Sequence, residues 1–362
     1  MALGWCAVVP MLGIRAVLAG TISPQQLSYL TSLRTVPWFL KPLIALLMDS
    51  FVGERAIFVT GSVIVAASWY SLPDMAVVSS KITPLALACF CASTGLAFAD
   101  VALDSVAVKS HSGSRETASK KMSDIWIIRT SAAAAATIAA GLLSVKAAST
   151  VTCIVAMVMP VFSIPRVKIS QDKTTIPIRK IVIFGLSALV MAAGPNSDPV
   201  MTVLLGTRYG FHRGAFASLG LIECLAMTLG SVMYKTVVRH KNPVRVIVVS
   251  TLSMSVASLM FLFLFITPGF TEAFCTVAVT SVVYLVASSF VSSVLLTEAA
   301  RGLPKGSEAA FYTSIAAAFN LGSIISTLGG GALAEILPAY QVFLCDSAGN
   351  LLFLGSVFLI RS

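Results

Sequence analysis

The chain has 362 residues, 57% of them hydrophobic and 11% charged, with a mean hydropathy of +0.92 and a net charge of +10. A soluble domain carries about 25% charged residues, so this composition excludes a soluble globular domain and points to an all-α integral membrane protein. The basic excess is distributed so as to orient the chain in a bilayer, and it calls for no nucleic-acid partner.

Apolar runs near the roughly 20 residues needed to cross a bilayer predict twelve helical spans. The first six lie at about 2–19, 26–48, 56–72, 84–108, 122–144 and 147–165. The second six lie at about 181–206, 214–236, 244–266, 273–296, 308–335 and 339–360. The first fourteen residues carry no Lys or Arg, so no cleavable signal peptide is expected there.

The second span contains Lys41 and ends at Asp49. The turn that follows, Asp49-x-x-x-Gly53-x-Arg55, resembles the cytoplasmic loop signature of the major facilitator superfamily. That resemblance implies a latch of Asp, Gly and Arg holding one alternating-access state. The fourth span carries Asp100 and Asp104, four residues apart and so on one helix face. The fifth carries Arg129. Counted from their cytoplasmic ends at about 1.5 Å per residue, Lys41, Asp100 and Arg129 lie roughly 12, 13 and 10 Å deep. Three charges from three spans therefore share one layer, with Asp104 nearer the cytoplasm.

A charge at bilayer depth costs roughly 2.5 kcal/mol or more and usually faces an interior pathway. Two cations and two carboxylates in one layer can exchange a partner for a solute carboxylate or a proton. The same set can also act only as an ion-pair network that fixes helix packing.

After the sixth span comes RVKISQDKTTIPIRK, residues 166–180, a basic linker. It divides the chain into an N-terminal six-helix bundle (1–165) and a C-terminal one (181–362). In the seventh span, Pro195-Asn196-Ser197-Asp198-Pro199 interrupts the helix, and irregular backbone at this depth is tolerated where it lines a cavity. Asn196 and Asp198 are thus candidate pathway residues. Glu223, nine residues into the eighth span, is the one clear buried acid of this half; Asn320 sits mid-span in the eleventh. Either could bind solute or serve as interhelical glue. Small residues crowd the fifth and eleventh spans, including Gly329 to Gly331, which reads as close helix packing rather than a phosphate loop.

Assigning the connections alternately places seventeen Lys and Arg residues on one side and four on the other. This asymmetry predicts cytoplasmic termini. The halves echo each other weakly, with 84–144 corresponding to 273–335, and internal repeats are a transporter signature. The seven cysteines form no C-x-x-C pair, and His111, His212 and His240 lie in loops. No nucleophile–base pair or metal-ligand spacing exists, so no catalytic or metal site is expected and the chain does not read as an enzyme.

Leu33 to Asp49, LRTVPWFLKPLIALLMD, is similar to the second-span pattern of the folate–biopterin transporters, a branch of the major facilitator superfamily. There Pro-Trp precedes Lys-Pro-Leu and a terminal Asp. Ala99 to Val108 (ADVALDSVAV) resembles the family's A-D-x-x-x-D element, and Trp126-Ile-Ile-Arg129 its W-x-x-R. Pro195 to Met201 and Glu308 to Gly322 also look like family segments. The resemblance implies two six-helix bundles moving folates, biopterin or other pteridines by proton-coupled alternating access.

It also implies that Lys41, Asp100, Asp104 and Arg129 are transport-critical, with Trp38 and Trp126 as cavity aromatics. No cofactor is implied. The expected partners are a small-molecule solute, protons and the lipid bilayer, with the protein functioning as a monomer. The expected membrane is the plasma membrane, with a plastid or other organelle membrane as the alternative. The rival functions are transport of another metabolite, such as an adenosyl-methionine-like cation, and a non-transporting sensor on the same fold.

Overall fold

The computed structural model describes residues 6, 14–15, 18–48, 53–78, 82–109, 115–161, 178–301 and 308–356. All regular structure among them is helical. Helices α1 (Pro24–Phe39) and α2 (Lys41–Leu47) form the second span, α3 (Glu54–Val78) the third and α4 (Ile82–Lys109) the fourth. Helix α5 (Arg115–Leu142) is the fifth and α6 (Val145–Val158) the sixth. In the second half, α7 (Ile178–Ala192) and α8 (Asp198–Thr207) share the seventh span. The remaining five are α9 (Arg213–Thr236), α10 (Pro243–Met260), α11 (Phe270–Arg301), α12 (Glu308–Ile336) and α13 (Ala339–Leu352). With the helical residues 6, 14, 15 and 18 of the first span, each of the twelve predicted spans contains described helix.

Local sequence sets several of the helix starts. Ser23 and Gln26 form a capping box: the Ser23 hydroxyl accepts from the Gln26 N–H, and the Gln26 carboxamide accepts from the Ser23 N–H. Pro24 occupies the first helical position, where no N–H is needed. Ser144 caps α6, and Asn242 caps α10 by accepting from the N–H groups of Val244 and Arg245.

Among the described residues, five helices are long and apolar enough to cross a membrane by length and composition alone: Ile82–Asp104, Arg213–Thr236, Pro243–Phe265, Phe270–Leu295 and Thr313–Ile336. The second and seventh spans are not continuous helices, because each is broken at a proline cluster. Pro42 cannot donate to the Trp38 carbonyl, and the chain turns at Leu40. Pro195 lies within the irregular stretch 193–197, and Pro199 sits in the first turn of α8 that follows it.

Apolar side chains gather within each half. One cluster joins the first four spans and the sixth around Trp69, Leu30 and Val65. Two others draw almost wholly on the last six, around Phe343, Leu205 and Leu264 and around Ile247 and Val291. Within the first half, α3 and α4 cross at Gly61 and Gly95, where a Cβ on either would lie 2.5 Å from the other's carbonyl. This contact had no distinctive pattern in the sequence.

Across the halves, α1 packs along α12 and α5 along α9. One end of both seams is closed tightly. A Cβ at Gly331 would overlap the Ser28 hydroxyl, and one at Gly206 would lie 2.8 Å from the Ala19 backbone. Nearby, Arg213 Nε donates to the Ala140 carbonyl at 2.9 Å. A Cβ at Gly330 would overlap the Asn196 carbonyl. Gly330 and Gly331 of the glycine run therefore serve close helix packing, as their sequence context predicts.

Candidate transport site

The break between α1 and α2 puts Lys41 at the first turn of α2, pointing inward rather than at lipid. It is 4% exposed, Asp100 is 2% and Asp104 is 8%. The Lys41 ammonium pairs directly with Asp100 and lies 3.5 Å from an Asp104 oxygen. Arg129 closes the set from α5, 2.5 Å from Asp100 and 2.9 Å from Asp104. Each cation thus faces both carboxylates, and each carboxylate faces both cations. The i, i+4 spacing on α4 makes this possible by stacking the two aspartates on one face. Depth counting from sequence predicts the layer, and Asp104 joins it instead of standing apart.

Trp38 and Trp126 flank this network through its cations. Lys41 Nζ lies 4.9 Å from the Trp38 ring centre, and the Arg129 guanidinium 5.9 Å from that of Trp126. Such contacts favour a cation over an aromatic face. Trp126 is more open, at 36% exposure.

Asn320 is placed elsewhere than on the charges. Its amide donates to the Trp38 carbonyl at 3.1 Å, the carbonyl that Pro42 leaves without a helical donor. The bond links α12 to α1.

The break in the seventh span is stapled to its neighbours. The Asn196 N–H donates to the Ser326 carbonyl at 3.0 Å, and the Ser326 hydroxyl donates to the Gly194 carbonyl. The Asn196 side chain accepts from the Asp198 N–H at 2.8 Å, just before α8 begins. Asp346 of α13 accepts from both the N–H and the hydroxyl of Ser197. At 9% exposure Asp346 is the buried acid of this half among the described residues, whereas Glu223, expected to be the buried one, is half-buried. Asp346 lies in a helix with a modest apolar pattern, and only its packing against Ser197 and Asn350 reveals its burial.

Asp198 faces the first span. It pairs with Arg15 at 2.5 Å, and Arg15 Nε donates to Thr202 at 3.0 Å. Glu223 lies within electrostatic reach of Arg15 and Asp198. Arg15 and Thr202 were not among the residues singled out from sequence; the signal available was a lone Arg inside an apolar run.

Of the latch, Asp49 lies outside the described residues. Gly53 has φ +73°, a left-handed conformation that suits glycine, and its N–H returns to the Met48 carbonyl at 3.0 Å. Arg55 is exposed on the first turn of α3.

The sequence profile described as the BT1 family matches residues 2–177 and again 149–358, together nearly the whole chain. The chain belongs to the BT1 family. This bears out the resemblance to folate–biopterin transporters, and it makes the BT1 family chain an integral membrane transporter. No curated protein matches this BT1 family chain in sequence.

Solved structures give its fold. The D-xylose–proton symporter matches with a TM-score of 0.74 at 11% identity, over 99% of this chain and 94% of that one. The peptide transporter PepTSo matches with a TM-score of 0.73 at 10% identity, over 99% and 96%. The major facilitator superfamily transporter FucP, in its outward conformation, matches with 0.66 at 13% identity, over 100% and 97%. The BT1 family chain therefore has the major facilitator fold, two pseudo-symmetric six-helix bundles.

Proposed function

We propose that this BT1 family protein carries folates, biopterin or related pteridines across its membrane by alternating access, coupled to protons. The observation that supports it best is the closed set of Lys41, Arg129, Asp100 and Asp104 inside three spans of a transporter. A balanced set of this kind tolerates burial only while every charge keeps its partners. A proton captured by one aspartate leaves a cation with one carboxylate fewer, and Arg129, reaching both aspartates and more open than Lys41, is the group free to move. Proton capture at Asp100 or Asp104 thereby couples to rearrangement of the spans that carry them.

In this reading the moving bodies are residues 1–165 and 181–362, joined by the basic linker 166–180. Asp49, Gly53 and Arg55 form the latch between access states. Trp38 and Trp126 offer ring faces to a flat pteridine, while Asp198 and Glu223 belong to the second half of the path. The protein works as a monomer in the plasma membrane; its termini are cytoplasmic, the one part of this that the distribution of Lys and Arg supports.

The test is uptake of labelled folate, biopterin and adenosyl-methionine in cells expressing the chain, with and without an inward pH gradient. The reading expects gradient-driven accumulation of folate or biopterin, abolished by Asp100→Asn in protein that still reaches the membrane. Accumulation of adenosyl-methionine alone would transfer the site to a cationic solute.

A further inference from the structure

The four-charge network leaves no cation over for a solute. Lys41 and Arg129 are each engaged by two carboxylates, so their charge is already neutralised and their donors directed. Among the described residues, Arg15 and Arg34 are two further cations set well inside a span. Arg15 is held by Asp198 and Thr202. Arg34 differs from the other three: among the described residues it has no hydrogen bond and no ion pair.

Arg34 is not a lipid-facing residue. It lies seven residues before Lys41, on the α1 face that also carries the buried Leu27 and Leu30. Its electrostatic neighbours are Arg15 of the first span, Cys89 of the fourth and Asp198 of the seventh. It therefore points into the region where both halves converge. It stands ten residues into a helix that starts at Pro24, so roughly 15 Å from that end of the bundle. Transporter sites of this architecture lie near the midplane between the halves. Arg34 is only half-buried, and none of its nitrogens is sealed off from access.

A guanidinium carries five N–H donors in a fixed fork that matches a carboxylate. Arg15 beside it adds a second positive charge, and Asp198, their shared counter-ion, is already bound to Arg15. Glu223 faces Arg15 and Asp198 and does not reach Arg34 in the same way. The fork of Arg34 is thus an open anion position where the two halves meet. We propose that Arg34 is the anion subsite of the transport path, taking a carboxylate of an organic-anion solute in bidentate fashion, with the Arg15–Asp198 pair behind it.

Arg34 recognises the solute, whereas Lys41 and Arg129 hold the aspartates. This assignment rests on the transporter reading and is independent of the pteridine. The carboxylate belongs to the solute class, so a folate, which bears a glutamate tail, engages Arg34 and biopterin, which has no carboxylate, does not.

Purified full-length protein in nanodiscs, titrated with sodium glutarate against sodium chloride of equal ionic strength, tests the subsite directly through the thermal unfolding midpoint. Bound ligand raises that midpoint saturably. Wild-type protein is expected to respond to glutarate, and Arg34→Gln to need about tenfold or more glutarate for the same shift, as loss of charge-assisted hydrogen bonds dictates. Arg34→Lys, which keeps the charge and loses the fork, falls between. Absence of a saturable response in the wild type, or an equal response in Arg34→Gln, overturns the assignment.

In uptake assays the folate-to-biopterin ratio should fall about tenfold in Arg34→Gln; an equal fall for both solutes would reduce Arg34 to a structural role. If the wild type takes up neither pteridine, the pteridine reading fails while the glutarate arm still decides the subsite.

Discussion

Asn320 of α12 donates its amide to the Trp38 carbonyl of α1 at 3.1 Å, and Pro42 is the reason that carbonyl is open. The proline breaks the second span, turns Lys41 inward onto Asp100, and leaves a backbone acceptor that the other half of the molecule fills. One local sequence feature thus sets both the charged site and a tie across the seam between halves. Replacing Asn320 by Leu keeps the volume and strands the carbonyl, at a cost of about 1–3 kcal/mol. Thermal unfolding of the purified variant measures it, and an unchanged midpoint would show that water serves the carbonyl as well.

Pro42→Ala gives residue 42 an N–H that can bond the Trp38 carbonyl and straighten α1 into α2. The straightened helix rotates Lys41 away from Asp100. The expected outcome is lost uptake with stability changed by less than about 2 kcal/mol, since one helical bond is gained while the ion pair is disturbed. Normal uptake by this variant would mean that the kink is dispensable.

Removing Asp100 leaves Lys41 and Arg129 facing one carboxylate in the interior. Asp100→Asn should destabilise by about 3–5 kcal/mol, the usual cost of breaking a buried pair. Adding Lys41→Gln rebalances the charge and should recover much of the unfolding midpoint without recovering uptake. A double variant as unstable as the single one would argue against charge balance as the cause.

The Lys235–Asp124 pair ties α9 to α5 at the other end of the seam, with side chains 27% and 42% exposed. At that exposure the pair contributes no more than about 1 kcal/mol and weakens with salt. Lys235→Ala should therefore shift the unfolding midpoint little, and the swap Asp124→Lys with Lys235→Asp should match the wild type. A large loss of stability in Lys235→Ala is the contrary result.

Gly331 lets α12 lie against Ser28 of α1 at the closed end of the seam. Gly331→Val cannot fit without separating the two helices. In a background free of the seven native cysteines, a cysteine at buried Ser32, one turn deeper on α1, should then react several-fold faster with a water-soluble thiol reagent. Equal rates with and without the valine would place the closure elsewhere.

The sequence by itself determined the class, the twelve spans and the first-half charges. Hydropathy and helical rise depend only on the order of residues along the chain, so Lys41, Asp100 and Arg129 could be assigned one depth before any packing was known. The break at Pro195 to Pro199 and the role of the glycine run were legible for the same reason: proline and glycine act on their own backbone. Tertiary structure decided what a one-dimensional count does not carry, the direction each side chain faces across the bundle. Arg15 and Arg34 are isolated charges in apolar runs until spans 1, 2 and 7 meet. Asp346 is an unremarkable helical residue until Ser197 is brought against it. Which cation is neutralised and which is left open depends on distances between spans, and those are set by packing.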